Sequence, residues 1–247
     1  MNKKTIGWLI LGLVVLGAVG FAGYHIYQEN VIQSEKENKK ELNARLTDLY
    51  EDQTSGYFKA DISAEAFDEL ADEVKSQSGE SQTLEDIDQA KKNFKLQAEM
   101  NKLFEKDVLN GLDLSAHPVL KAPSEKDIKA LKAELEESSA KDKGWGQDIS
   151  MILGIAETQS KDFTNADADV SNLVNKGTSL TLTDYLEGVK TLAILPDGKF
   201  KEKLLGKLSP VKDQLTNENA GFAAKIQQSD TSMACLLYTS DAADELD

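Results

Sequence analysis

Apolar and polar positions divide the chain into one unbroken apolar run and a long succession of amphipathic segments. The run Ile6–Tyr24 (IGWLILGLVVLGAVGFAGY) contains no charged residue. Its 19 residues, rising about 1.5 Å each, cover roughly 28 Å, the hydrocarbon thickness of a bilayer. Trp8 near one end and Tyr24 and Tyr27 near the other suit the two aromatic interfaces. The pattern predicts a transmembrane signal-anchor helix over 5–27, because the run exceeds the ~7–15 apolar residues of a cleaved signal peptide. Lys3 and Lys4 lie against its N-terminal end, whereas Lys36, Lys39, Lys40 and Arg45 beyond it are interleaved with Glu29, Glu35, Glu37 and Glu41. This places the tail 1–4 in the cytoplasm and the bulk of the chain outside the cell membrane. Ala18 and Ala22 have the small-xxx-small spacing of a transmembrane helix interface.

A polar stalk, 28–41, follows, and then Leu42, Leu46 and Leu49 begin an amphipathic helix that ends near Tyr50. Helix follows helix from there to about Leu215. Ser or Thr with an acid three residues later marks helix starts at Thr83 with Asp86, Ser124 with Asp127, Thr164 with Asp167 and Thr181 with Asp184. Breaks are expected at Gln77–Ser81, His117–Pro123, Lys143–Gly146 and Pro196–Gly198. Strand-type alternation is nearly absent, its best instance being TSLTLT at Thr178–Thr183.

The helices form an internal repeat. LTDLYED (Leu46–Asp52), MNKLFEK (Met100–Lys106) and, more distantly, VSNLVNK (Val170–Lys176) each close the first helix of a unit. A second helix then carries apolar residues four, seven and eleven positions after a Ser: Phe67, Leu70 and Val74 after Ser63, and Ile128, Leu131 and Leu135 after Ser124. After Thr181 the same positions hold Tyr185, Gly188 (with Val189 beside it) and Leu192. Third helices are expected from Leu84 to about Leu103, from Trp145 to about Thr158 and from Phe200 to about Leu215. The units are thus 42–104, 96–160 and 163–228, the first two sharing a helix, so that stacking supplies core one short unit lacks. The fold class is all-α: one transmembrane helix followed by two to three stacked three-helix-bundle repeats.

Charge and composition narrow the function. A formal net charge of −15 over 247 residues, without a basic face, disfavours a nucleic-acid partner, and none is expected. With two histidines, His25 at the membrane edge and His117 in a turn, a Ser–His arrangement has little support, SEKD at Ser124 reads more simply as a helix cap than as a Ser–Lys dyad, and no cofactor or enzymatic activity is expected. No metal site is expected either: a calcium loop begun at Asn165 would use Asp167 and Asp169, but Val170 stands where Gly is needed and Lys176 where the bidentate Glu belongs. Trp145 is the one candidate ligand contact, through stacking on a sugar ring, but its repeat position matches the apolar Leu84 of the first unit, which favours a packing role. CLLYTSDAADE (Cys235–Glu245) resembles a translated sequencing adapter, so 235–245 is read as an artefact, with the natural chain visible to Ala234 and continuing past it. The residues before it hold no Cys, and no disulfide is expected among them.

LTDLYED, ISAEAFDELADEV and DIDQAKKNFKLQAEMNKLF resemble the first extracellular domain of the MapZ family, membrane-anchored proteins that position the division ring in some Gram-positive bacteria. The same stretch, about Leu42 to Thr158, is similar to the small helical repeat of delta-endotoxins and bacterial surface proteins. The resemblance implies an extracytoplasmic helical module near peptidoglycan, and it supplies no catalytic residues. Only Met1–Lys4 precede the expected membrane helix here, whereas the division family has a substantial cytoplasmic region. The expected function is a membrane-anchored binding or scaffolding module at a Gram-positive cell envelope, peptidoglycan- or division-related, with peptidoglycan or a membrane protein as partner. The alternatives are a stalk for a domain lost beyond Ala234, and a secreted helical effector released by cleavage near Gly20–Gly23.

Overall fold

The computed structural model describes residues 37–76, 81–218, 221 and 225–228. These form a mostly helical protein: α1 (37–48), α2 (Ala64–Ser76), α3 (Ser81–Leu103), α4 (Glu125–Glu137), α5 (Gly144–Lys176), α6 (Leu182–Ala193) and α7 (Lys199–Glu218). Two small antiparallel hairpins interrupt them, β1 (Tyr50–Asp52) with β2 (Tyr57–Phe58) and β3 (Leu109–Asn110) with β4 (Asp113–Leu114). Among the described residues no helix is long and apolar enough to cross a membrane. The segment Ile6–Tyr24, Ala18 and Ala22 within it, and residues 235–245 lie outside the described residues.

The first two copies of the repeated motif have a structural counterpart in the way their helices end. In LTDLYED the Leu49 carbonyl accepts from the Lys59 amide at 3.1 Å, and Tyr50 stacks on Phe58 with ring centroids 4.8 Å apart. In MNKLFEK the Leu103 carbonyl accepts from the Lys121 amide at 2.8 Å, and Phe104 bridges to Leu120. A leucine thus closes the helix, the next residue enters an antiparallel bridge, and the returning chain leads to the unit's second helix. The second unit carries a longer excursion between these bridging positions, and β3–β4 is built from it. In the third unit the bridge is replaced by a 3-10 turn at Gly177–Ser179, whose Gly177 has φ +53°. Val174, at the aromatic's position, is 40% exposed as a result.

Burial follows the predicted spacing in every second helix. Phe67, Leu70 and Val74, Ile128, Leu131 and Leu135, and Tyr185, Gly188, Val189 and Leu192 are all buried. Gly188 lies against the end of the Leu173 side chain of α5, which would have to shift to admit a Cβ there.

Several boundaries differ from expectation. Tyr50 belongs to a strand, so the first helix ends two residues earlier, at residue 48. TSLTLT forms no strand, since its threonines make the 3-10 turn and the start of α6. Thr181 and Asp184 there form a complete capping box. Thr83 caps nothing, because α3 already begins at Ser81 and Thr83 is buried in it. Ser124 occupies the N-cap of α4 without a side-chain capping bond, its hydroxyl donating instead to the Ala122 carbonyl at 3.0 Å.

The largest departure is α5, which runs unbroken for 33 residues through the expected break after Thr158. Thr164 does not cap a new helix, and its hydroxyl donates to the Ser160 carbonyl one turn back at 2.8 Å. Burial of Phe163, Ala166, Val170 and Leu173 holds this half of the helix in place. α5 therefore packs against α4 as well as against α6 and α7, as α3 packs against both α2 and α4.

Candidate functional site

Two places outside the ordinary core have chemistry to consider. The first surrounds Trp145, the second residue of α5. Its ring is fully buried, with its edge toward Phe58 at a centroid distance of 6.3 Å. Its indole N–H donates to Gln97 Oε1 at 2.8 Å, and its backbone N–H donates to the Ser55 carbonyl at 2.9 Å, which caps the start of α5. Gln97 in turn donates to the Leu109 carbonyl at 3.2 Å, and Ser138 donates to Asn93 Oδ1 at 2.7 Å. Stacking on a sugar needs an open ring face, and Trp145 has none. It pins α5 to α3, with each polar atom of this layer paired to hold the register.

Beside it Tyr57 donates to Asp148 Oδ2 at 2.6 Å. Burial first, then this bond, pushes the Tyr57 phenol up to about 12. Tyr50 is likewise pushed up to about 12 by burial and by the nearby Asp86 charge. Neither phenol is poised to give up its proton near neutrality.

The second place is the groove between the antiparallel helices α4 and α5. A hollow of about 600 Å³ lies over Ile128, between Lys129 and Lys132 of α4 and Glu157 and Lys161 of α5. Glu157 accepts from Lys132 and, at 3.3 Å, from Lys161, and these bonds hold its carboxyl below the usual range. A further hollow of about 460 Å³ lies toward the other end, lined by Leu135, Glu136, Lys141 and Met151. Successive three- and four-residue steps connect the lining residues of the two hollows on both helices, so they belong to one groove. Gly154 sits between them on α5, and an added Cβ there would meet nothing within 4 Å. Met151, beside it, is 49% exposed. The groove thus offers an apolar floor with charged rims, a geometry for holding a surface.

Asp167 and Asp169 stand in the last third of α5 and form no loop, and Asp167 pairs with Lys207 of α7 at 2.5 Å. Among the described residues no group of three or more His, Cys, Asp or Glu is placed to hold a metal ion. His117 occupies an exposed position before Pro118. The groove escaped the sequence reading because its residues are ordinary helix-surface types. The one signal was Gly154, a helix-weakening residue with no packing partner to require it. Comparison with known families, with curated proteins and with solved structures finds no match to this chain.

Proposed function

We propose that this chain is a non-enzymatic binding and scaffolding module, held by a single-pass anchor at a Gram-positive cell envelope with its helical part outside. Its target on this reading is peptidoglycan or a membrane-protein partner, in wall growth or division. The observation that carries the reading is α5. A helix of 33 residues, about 50 Å long, belongs to two successive units, and α3 joins the preceding pair in the same way. Shared helices make the units a stiff support, because bending at a joint would break buried contacts on both sides. Such a support suits holding a surface at a fixed distance from a membrane.

The test uses the full chain in a Gram-positive host. Retention in the membrane fraction, digestion by protease added to intact cells, and co-sedimentation with purified wall sacculi or crosslinking to a membrane protein are the expected results. Recovery in the cytosol, or protection from external protease, would sink the proposal.

A further inference from the structure

The two shared helices are used differently, and the difference exposes a face. Aligned at their starts, with Leu84 opposite Trp145, Asn93 and Gln97 of α3 correspond to Gly154 and Thr158 of α5. Aligned at their ends, with Leu103 opposite Leu173, the same two residues correspond to Phe163 and Asp167. In α3, which has 23 residues, the two alignments fall on one face, and the next unit covers it through Ser138 and Trp145. In the 33-residue α5 they separate. The face at Phe163 and Asp167 is covered by Phe200 and Lys207 of α7. The face at Gly154 and Thr158 stays open, with Thr158 exposed and nothing over Gly154. The extra turns carry the third unit along and around the helix, leaving the α4–α5 groove uncovered where α3 is covered.

We infer that this groove is a self-association surface, on which the α4–α5 pair of a second copy of this chain packs antiparallel about a two-fold axis near Gly154. Charge points to this occupant. The hollow at the Ile128 end carries three ammonium groups, Lys129, Lys132 and Lys161, against two carboxylates. The hollow at the other end carries two carboxylates, Glu136 and Asp142, against the Lys141 ammonium. An antiparallel two-fold lays the cation-rich end of each copy on the acid-rich end of the other, twice, and a parallel arrangement would oppose like ends. Missing side-chain volume at Gly154 lets the two α5 helices approach, and Met151 of each copy covers the gap in its partner. The face is about 27 Å long and two helices wide, which buries roughly 1,100 Å² in total and sets the dimer at the weak, reversible end of specific interfaces.

Sedimentation velocity of the full chain in neutral detergent, at rising protein concentration, tests the inference. A monomer–dimer equilibrium is expected. Gly154→Arg should weaken it at least tenfold while leaving the circular dichroism spectrum unchanged, because the added side chain meets open space in the monomer. Reversing the basic end with Lys129→Glu and Lys161→Glu should weaken it similarly, and adding Glu136→Lys and Asp142→Lys to that variant should restore it. A monomer at every concentration, an open-ended polymer, or a dimer indifferent to Gly154→Arg and to the reversals would overturn the inference. The last outcome would leave the apolar segment around Ala18 and Ala22 as the contact.

Discussion

The joint between the first and second units and the joint between the second and third are built on the same plan from different materials. In the first, a buried indole is hydrogen-bonded to Gln97, Ser138 is bonded to Asn93, and the Ser55 carbonyl caps α5. In the second, Phe163 and Phe200 stack at 4.5 Å, and Lys207 and Asp167 pair at a half-exposed position. Glu105 accepts from the Lys199 amide at 2.6 Å, so both joints have a loop of one unit capping the closing helix of the next. Directional bonds in a dry layer penalise any shift of register, whereas stacked rings and a solvated ion pair tolerate one. The first joint is therefore the stiffer, and the second is where the stack gives first.

The largest way to break this comparison is Trp145→Ala. It should cost about 4 kcal/mol in denaturant unfolding of the full chain, since it empties a large buried volume and strands Gln97. Phe200→Ala should cost about 3 kcal/mol, with no polar group stranded. Equal losses would remove the distinction between the joints. Gly146→Ala comes next. The new Cβ would press on the backbone carbonyls of Ala140 and Lys141, costing about 1–3 kcal/mol by the same measurement.

Alkali should weaken the first joint through its two shifted phenols. Tyr50 and Tyr57 ionise near pH 10 in the unfolded chain and near 12 in the fold. The protonated form is the one the fold favours, so stability falls as pH rises from 10 to about 12. Ultraviolet titration of the phenolates should show these two residues ionising late, and urea melts over that range should follow.

Gly154→Ala reverses the sign. In the same helix as Gly146 but facing open space, it should raise monomer stability by up to ~1 kcal/mol, read as a higher urea midpoint. A loss there would mean the α5 face is already covered in the monomer. The smallest effect belongs to Lys207→Ala at the second joint. The paired side chains are 36% and 42% exposed, so the change should cost less than ~1 kcal/mol and vanish in high salt.

How far the chain could be read in advance depended on the range of the forces involved. Thr181 with Asp184 announced a capping box, and the box is complete, since its bonds span three residues. Thr164 with Asp167 carried the same signal inside α5 and formed none. Its hydroxyl had a carbonyl of the preceding turn within reach, and its neighbours Phe163 and Ala166 had partners to bury against. The hairpins were missed because strands of two or three residues carry no periodicity. Trp145 was placed at the apolar position of its repeat, but its hydrogen bond to Gln97 joins residues 48 positions apart and left no mark in the local pattern.

What the amino-acid order determined by itself was the helical class of the described residues, the buried positions of each second helix and the cap of α6. Periodic burial and short hydrogen bonds act within a few residues, so they survive in any window of the sequence. Tertiary structure alone decided that α5 runs on past Thr158, that Trp145 donates to Gln97 and that the groove over Gly154 stays open. Those outcomes depend on which of two sterically allowed faces of one helix finds a partner. That choice is made by side chains tens of residues away, whose burial outweighs any local signal to start or stop.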